Sequence, residues 1–221
     1  MDIINFKKIN YVGFDFDNTL VDENYSIRSR WEIVLENYSD LSPKLRETFF
    51  KILQKKGLKY KFHLNEALKE LNLDQGLIKK MVAEFLKTRG KELLLPGSVE
   101  LLEFLKNKKI KIGIITNGKK TYQEARIRKA GIENLLDFAY YGNNYQKPDP
   151  KFFQECLKLF KVRRFQEFLY VGDDYLEDIE SPRSLGIRTC WISSQGFSKE
   201  DETLKFSSLL ELLELFKKVY K

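Results

Sequence analysis

Two aspartates separated by a single residue are the first candidates for chemistry in this chain. Asp15 and Asp17 lie in the stretch Tyr11–Leu20, YVGFDFDNTL, where a run of Val, Phe and Tyr predicts a buried strand. Side chains two residues apart in an extended chain point to the same side, so the two carboxylates would repel each other. A hard divalent cation such as Mg²⁺ would relieve that repulsion and keep positions for water and substrate phosphate. Alone, the pair also fits an ordinary strand followed by a polar turn.

Three more polar clusters follow apolar stretches that are typical of strands. They are Thr116-Asn117-Gly118 after KIGIIT, Lys147-Pro148-Asp149-Pro150 after FAYYG, and Asp173-Asp174 with Asp178 after FLYVG. The carboxyl ends of parallel strands meet at one edge of a sheet, so all four clusters would converge there. Phosphoryl transfer requires a cation, donors to the phosphate oxygens, a nucleophile and a proton source, and these residue types supply them. An aspartate can be the nucleophile and form an aspartyl-phosphate.

The elements that must position these clusters alternate along the second half of the chain. Strands are predicted at 111–116, 138–142, 168–173 and 187–193, in addition to the strand that begins at Tyr11. Helices are predicted at 99–108 with Ser98 as the cap, at 119–130, from Asp149-Pro150 to Phe160, and at 209–220. This alternation predicts right-handed crossovers and a parallel sheet.

A different pattern separates the first strand from the second. Four segments with helical spacing follow one another without strand-like alternation: Ile27–Tyr38, Pro43–Lys56, Phe62–Asn72 and Asp74–Arg89. One crossover needs far less chain, so this stretch predicts a helical unit inserted into the α/β unit. We therefore expect a core formed by residues 1–20 and 96–221, and a helical cap formed by residues 21–95.

The composition indicates a globular protein, with 43% hydrophobic and 32% charged residues in 221 positions. The net charge of +7 favours an anionic substrate weakly, and no nucleic-acid-binding motif accompanies it, so no nucleic-acid partner is expected. Cys156 and Cys190 lie far apart in apolar stretches and predict reduced core thiols. No apolar run approaches membrane-spanning length and no leader is evident, so we expect a cytoplasmic protein without a membrane partner. Both a monomer and a homodimer are compatible with the sequence.

The four clusters together resemble the motifs of a known family. The chain resembles the haloacid dehalogenase (HAD) superfamily, and within it the subfamily I phosphatases, which carry a helical cap. DFDNTL at Asp15–Leu20 is similar to the first motif, D-x-D-x-T, and Thr116 in ITNG is similar to the second. Lys147 in QKPDP is similar to the third motif, and GDDYLED at Gly172–Asp178 to the fourth, G-D-x-x-x-x-D. Pattern and resemblance predict an α/β fold, a Rossmann-like (HAD-like) parallel core sheet of five strands flanked by helices, with an inserted four-helix cap.

The resemblance implies a role for each matched residue. Asp15 is implied as the nucleophile, and Asp17 as the acid that protonates the leaving oxygen and then the base that activates water. The Thr116 hydroxyl and the Asn117 backbone N–H are implied to hold phosphate oxygens. Lys147 is implied to offset the charge shared by the phosphate and Asp15, as both a catalytic and a phosphate-binding residue.

The resemblance also implies a Mg²⁺ cofactor and a substrate class. The implied ligands are Asp15, Asp173 and the backbone carbonyl of Asp17, with Asp178 and Asp174 as supporting acids behind them. The implied reaction is Mg²⁺-dependent hydrolysis of a phosphomonoester through an aspartyl-phosphate. The substrate is expected to be a small phosphorylated metabolite, such as a sugar phosphate, phosphoglycolate or a nucleoside monophosphate.

Three other functions remain open at this point. Haloacid dehalogenases lack the acid two residues after the nucleophile, and the presence of Asp17 disfavours that reaction. A phosphomutase similar to β-phosphoglucomutase would keep both acids, but the predicted cap shows no clear match to it. A catalytically idle phosphate-binding scaffold would be expected to lack at least one catalytic acid, and none is missing.

Specificity is expected to lie in the cap, where the sequence has few motifs. Tyr25, Arg28, Arg30 and Trp31 are candidates for substrate contacts, although core packing and solvated charge are the default for Trp31 and the arginines. His63, the one histidine of the chain, is expected to be a partly buried or surface residue.

Overall fold

The computed structural model describes residues 6–56, 71, 73–142, 144–194, 196–197 and 203–221. The chain divides into two compact units. The first unit contains Met1–Asp22 and Leu94–Lys221, and the second contains Glu23–Leu93. The second unit is therefore an insertion in the sequence of the first.

The first unit is built on a parallel sheet with the strand order β3-β2-β1-β4-β5-β6. The strands are β1 (Tyr11–Phe14), β2 (Lys111–Ile115), β3 (Phe138–Tyr140), β4 (Phe168–Gly172), β5 (Arg188–Ile192) and β6 (Leu204–Phe206). The predicted α/β fold with a parallel sheet is confirmed, but the predicted count of five strands is wrong. The strand missed is β6, which has only three half-buried residues at the edge of the sheet and shows no readable alternation.

Eight α-helices are described in the two units. They are α1 (Glu23–Glu36), α2 (Pro43–Lys56), α3 (Gln75–Lys87), α4 (Ser98–Asn107), α5 (Lys120–Lys129), α6 (Pro150–Leu159), α7 (Ser181–Arg183) and α8 (Leu209–Val219). A π-helical segment, Tyr175–Glu180, leads into α7. The helix predicted at Phe62–Asn72, and His63 with it, lie outside the described residues.

Both faces of the sheet are covered, and β4 shows this most clearly. Its five residues are all buried, and the first four alternate between two apolar clusters. Leu169 and Val171 belong to the cluster that includes residues of α4 and α8, whereas Phe168 and Tyr170 belong to the cluster that includes α6. A strand buried on both faces has a continuous apolar sequence, and FLYVG has one for this reason.

Close packing at the centre of the sheet requires a residue without a side chain in β1. A Cβ at Gly13 would lie 2.7 Å from the Phe168 ring and 2.8 Å from the Ile115 side chain. These large neighbours occupy the space above the backbone of β1. β1 lies between β2 and β4 in the sheet, and its last residue directly precedes Asp15.

The helix caps show one correct prediction and one error. Asp149 caps α6, and its side chain accepts from the backbone N–H of Lys151. Ser98 is not a cap: it is the first residue of α4, and its hydroxyl donates to the carbonyl of Leu20 at 2.9 Å. Gly97 occupies the cap position with φ of 88°, a left-handed conformation that favours glycine. Ser98 instead gives a second hydrogen bond to the Leu20 carbonyl, which also accepts from the N–H of Leu95 at 2.9 Å.

The second unit has its own apolar core around Trp31. The Trp31 ring stacks on Phe85 at 4.5 Å between centroids and meets the edge of Phe49 at 4.8 Å. The guanidinium of Arg30 donates to the carbonyls of Phe85 at 2.6 Å and Thr88 at 3.2 Å, at the end of α3. Trp31 therefore has the core-packing role that was its default interpretation, whereas the solvated charge expected for Arg30 is wrong, because its side chain is buried against the end of α3.

Two further expectations are tested by the fold. Cys156 and Cys190 are both free and fully buried, as predicted for reduced core thiols. Burial raises the pKa of each thiol, which keeps it protonated and unreactive. In the part of the chain that the structure describes, no helix has the length and apolar character needed to span a membrane.

Candidate active site

Three of the four predicted clusters begin directly after strands of the sheet centre. Asp15 follows β1, and its backbone N–H donates to the carbonyl of Val171 in β4 at 2.8 Å. Thr116 follows β2 and Asp173 follows β4. Since β1 lies between β2 and β4, these residues leave neighbouring strands at the same carboxyl edge.

Lys147 connects the clusters, although it follows β3 at some distance in sequence. Its Nζ donates to Asp15 Oδ1 at 2.7 Å and to Asp178 Oδ1 at 2.6 Å. The side chain of Lys147 is only 2% exposed, and that of Asp178 only 1% exposed. A charge this deeply buried is stable only when it is paired, so Lys147 and the two acids form one electrostatic unit.

Tyr170 completes this unit from the middle of β4. Its hydroxyl donates to the carbonyl of Ile115 at 2.7 Å and accepts from Lys147 Nζ at 3.1 Å. Burial raises the pKa of the Tyr170 hydroxyl well above its ordinary value, so it acts as a neutral donor. The sequence motifs do not single out Tyr170, although a phenol in an otherwise aliphatic and aromatic strand next to the GDD motif was a usable signal.

Three carboxylates at this edge are close enough to share a cation. Asp15, Asp173 and Asp178 each offer an oxygen, and these oxygens lie within 4.8 Å of one another. Burial raises the pKa of Asp15 well above its ordinary value, and Asp178 and Asp173 add to the effect while Lys147 opposes it. A hard divalent cation fits this set of three carboxylate oxygens and would add positive charge beside that of Lys147.

The surrounding carboxylates stabilise the protonated form of Lys147. Burial alone lowers the pKa of its amine, but the carboxylates of Asp15 and Asp178 raise it by more, and the net pKa lies well above the ordinary value. Lys147 therefore stays a cation over the physiological range. It can balance the charge of Asp15 and of an anionic ligand, but it cannot act as a base.

The side chain of Asn117 clamps the backbone of Lys147. Asn117 Oδ1 accepts from the Lys147 N–H at 2.8 Å, and Asn117 Nδ2 donates to the Lys147 carbonyl at 3.1 Å. Nδ2 also lies 3.3 Å from Glu177 Oε2. The sequence motif implies a role only for the backbone of Asn117, so this clamp is an additional function of the residue. It joins the loop after β2 to the loop after β3, and Thr116, the residue before it, is buried.

The last cluster is organised around its own hydrogen bonds. The Asp178 side chain accepts at Oδ2 from the N–H of Asp174 at 3.0 Å, and Asp174 in turn caps the π-helical segment through the N–H groups of Leu176 and Glu177. The indole of Trp191 donates to the carbonyl of Asp173 at 2.9 Å. Asp174 therefore shapes the loop, while Asp173 and Asp178 lie among the acids near Asp15.

Asp17 is the predicted site residue that the structure places in a separate group. Its Oδ1 accepts from Arg126 Nη2 at 2.7 Å and its Oδ2 accepts from Arg126 Nη1 at 2.9 Å. Arg126 lies on α5, which follows the Thr116 loop, and none of the sequence motifs includes it. Arg126 lies on the buried face of α5 with Gln123 and Ile127, and the sequence of α5 has no clear apolar face that would have indicated this.

The sequence model for haloacid dehalogenase-like hydrolases matches residues 12–192 of the chain, which include all of these site residues. The chain belongs to the haloacid dehalogenase-like hydrolase family. The resemblance inferred from the four motifs is thus confirmed, and the chain is an enzyme, a phosphatase-like hydrolase of the HAD type.

Individual relatives agree with this family. A glyceraldehyde 3-phosphate phosphatase of Pyrococcus abyssi is 27% identical over 205 residues, which cover 83% of the chain and 81% of the relative. A phosphorylated carbohydrates phosphatase of Thermotoga maritima is 30% identical over 181 residues, covering 80% and 81%. The structure of YfnB of Bacillus subtilis, described as a HAD-type hydrolase bound to magnesium, has a TM-score of 0.73 at 20% identity and covers 94% of this chain and 98% of that one. At that identity the last comparison supports the fold.

Proposed function

We propose that this HAD-family enzyme is a Mg²⁺-dependent phosphomonoester hydrolase that acts through an aspartyl-phosphate on Asp15. The observation that supports this most strongly is the buried group of Lys147, Asp15 and Asp178 with Asp173 beside it. A lysine held between two carboxylates, with a third carboxylate close to them, suits an anionic substrate together with a divalent cation. Asp15, Asp173 and the backbone carbonyl of Asp17 are the proposed ligands, supported by Asp178 and Asp174. Bound Mg²⁺ would neutralise charge on the phosphoryl oxygens.

The proposed first step transfers the phosphoryl group to Asp15. A carboxylate oxygen of Asp15 forms a bond to phosphorus, and the ester P–O bond breaks. Asp17 gives its proton to the leaving oxygen, which departs as an alcohol. The Thr116 hydroxyl and the Asn117 backbone N–H donate to the equatorial oxygens, and Lys147 offsets the charge that they share with Asp15.

The second step returns the enzyme to its starting state. A water attacks phosphorus while Asp17 takes a proton from it, and the bond between phosphorus and Asp15 breaks. Inorganic phosphate leaves, and Asp15 is again a carboxylate. The geometry helps because Lys147 Nζ already contacts Asp15 Oδ1 and can stabilise the carboxylate as it leaves.

The proposed substrate is a small phosphorylated metabolite, with sugar phosphates first in order. Two relatives over most of the chain are named as phosphatases of glyceraldehyde 3-phosphate and of phosphorylated carbohydrates. The helical unit Glu23–Leu93, inserted between β1 and β2, is proposed as the cap that selects among such esters. A cap of this kind is where members of one fold differ in specificity.

Phosphate release from an aryl phosphate and from a panel of phosphorylated metabolites, with and without Mg²⁺, tests this proposal. Asp15→Asn is the matched control, because it removes the nucleophile and keeps the shape of the side chain. Release that requires both Mg²⁺ and Asp15 is the expected result. Isomerisation of a sugar phosphate without net release would instead indicate a mutase, and a folded protein inert on the whole panel would indicate a phosphate-binding scaffold.

A further inference from the structure

Arg126 and Asp17 form a contact that the family motifs do not include. The two N–H groups at the end of Arg126 meet the two oxygens of Asp17 at 2.7 and 2.9 Å, a two-pronged pairing that fixes both distance and orientation. The side chain of Arg126 is 7% exposed and that of Asp17 is 24% exposed. The cation is therefore fixed inside the first unit, and the carboxylate is the partner that remains accessible.

The guanidinium of Arg126 has several supports besides Asp17. Its Cζ lies 5.0 Å from the ring centroid of Phe16, the residue between Asp15 and Asp17, and 5.6 Å from that of Tyr122. Its Nη1 also donates to Gln123 Oε1 at 3.2 Å. A guanidinium held by two rings and a side-chain amide has lost most of its freedom, so its partner carboxylate is held in place as well.

Gln123 extends the contact to the loop proposed to bind phosphate. Gln123 Nε2 donates to the backbone carbonyl of Asn117 at 2.9 Å. A continuous set of hydrogen bonds thus runs from the loop after β2, through Gln123 and Arg126, to the carboxylate of Asp17 after β1. All of these residues belong to the first unit.

We propose that Arg126 is a positioning residue for Asp17, and that Gln123 couples this position to the Thr116–Gly118 loop. The inference rests on the proposed function, in which Asp17 moves the protons. A carboxylate that accepts one hydrogen bond at each oxygen keeps a second lone pair on each, so Asp17 can take a proton from water while Arg126 holds it. Arg126 itself has no role in contacting the phosphoryl group or the acids around Lys147.

An aryl phosphate separates the two steps and makes the inference testable. A good leaving group departs without a proton, so the first turnover depends little on Asp17, whereas attack of water on the aspartyl-phosphate depends on it. For Arg126→Met we expect an unchanged burst of phenol release and a steady-state rate reduced about tenfold, which is part of the 10²–10⁴-fold that proton transfer supplies. KM is expected to decrease together with the steady-state rate, so that kcat/KM stays within about twofold, since binding and formation of the aspartyl-phosphate are untouched.

Two further variants keep the test informative. Gln123→Leu removes the hydrogen bonds to the Asn117 carbonyl and to Arg126. It is expected to reduce the steady-state rate by about threefold, less than Arg126→Met does, because the two-pronged pair of Arg126 with Asp17 remains. Arg126→Ala is expected to recover part of its rate when guanidinium ions are added at concentrations well below those that unfold the protein. Arg128→Met is the matched control on the same helix, because Arg128 is 66% exposed and pairs with Glu133 at 3.5 Å.

The contact itself can be measured without activity. In metal-free protein, the decrease in Tm caused by Asp17→Asn is expected to be smaller in the Arg126→Met background than in the wild type. If the decreases in Tm caused by Asp17→Asn and Arg126→Met are additive, the positioning role of Arg126 is wrong. The same holds if Arg126→Met loses the burst and the steady-state rate equally. Either result would leave the proposed function standing. A wild-type protein without Asp15-dependent phosphate release would remove the proposed function and this inference together.

Discussion

The two aspartates of the DFD segment are chemically identical, but their surroundings are different. Asp15 is buried and contacts the amine of Lys147, with the carboxylates of Asp173 and Asp178 close by. Asp17, two residues later, is partly exposed and has the guanidinium of Arg126 as its two-pronged partner. A buried carboxylate beside an amine and two other acids suits the nucleophile that we propose to work beside a cation, whereas an accessible carboxylate in a fixed orientation suits the proposed proton transfer. The environments of the two side chains therefore support the different roles that we propose for them.

Replacing each aspartate in turn gives the largest expected difference. Asp15→Asn is expected to reduce kcat on an aryl phosphate by about 10⁴-fold or more and to show no burst, because the nucleophile is absent. Asp17→Asn is expected to retain the burst and to reduce the steady-state rate by about 10²–10⁴-fold, because only the proton transfers are lost. Rapid-quench measurement of phenol release distinguishes these results. A burst in Asp15→Asn, or none in Asp17→Asn, would reverse the two roles.

The cations beside the aspartates are expected to differ in the same way. Lys147→Met leaves Asp15 and Asp178 buried without their amine, so kcat is expected to decrease by about 10²-fold or more and the burst to disappear. Arg126→Met is expected to keep the burst. The measurement is again the rate of the first turnover, with Lys151→Met as a control for a lysine in the following helix. Equal loss of the burst in the Lys147 and Arg126 variants would mean that both cations serve the same step.

Tyr170 contacts Lys147 in the group around Asp15, and Tyr170→Phe is expected to have a moderate effect on stability and on kcat. The variant removes a hydrogen bond from Lys147 and leaves the carbonyl of Ile115 unpaired, which costs about 1–3 kcal/mol of unfolding free energy. We expect kcat to decrease by about tenfold at most, because Lys147 keeps its two carboxylates. Urea unfolding and steady-state kinetics check both effects. Tyr11→Phe is the control, because Tyr11 is the first residue of β1 and Asp15 follows the last one. It should change neither the free energy of unfolding nor kcat.

The smallest expected effect is a pH dependence of stability in metal-free protein. Because burial raises the pKa of Asp15 in the folded state, its stabilising contribution is complete below the unfolded pKa of about 4 and is lost as pH rises through the folded pKa. Asp15→Asn removes this loss, so its Tm relative to wild type should increase between pH 4 and pH 8. Each unit of pKa shift corresponds to about 1.4 kcal/mol and a Tm change of about 3–5 °C.

Calorimetry with a chelator present measures the Tm difference between Asp15→Asn and wild type at each pH. The same measurement with added Mg²⁺ tests whether a bound cation offsets the loss of stability. Added Mg²⁺ should raise the Tm of the wild type more than that of Asp15→Asn, because a bound cation stabilises the ionised acids. Asp17→Asn should instead lower the Tm, since it breaks the pair with Arg126. A Tm difference between Asp15→Asn and wild type that does not change with pH would mean that burial does not raise the pKa of Asp15.

The sequence predicted much of the fold because local patterns report it, and most of the residues in its motifs lie where the structure brings carboxylates and Lys147 together. The strands β1, β2 and β4 are mostly apolar runs of four or five residues that end in polar clusters, β5 has the apolar stretch 190–192, and the alternation with helices predicts parallel order. β6 was missed because three half-buried residues at an edge give no such pattern. Ser98 was misassigned because a serine before an apolar helix is typical of a cap, and only the fold brings its hydroxyl to the carbonyl of Leu20.

What the sequence by itself determined about this protein is the inventory of its chemistry: two aspartates after a buried strand, a threonine, a lysine and further acids after others. The tertiary structure decided which cation faces which aspartate. The pair of Lys147 and Asp15 joins residues 132 positions apart, and the pair of Arg126 and Asp17 joins residues 109 positions apart. The physical reason is that periodicity reports which residues are buried, whereas the pairing of buried charges depends on the order of the strands and the placement of the helices between them.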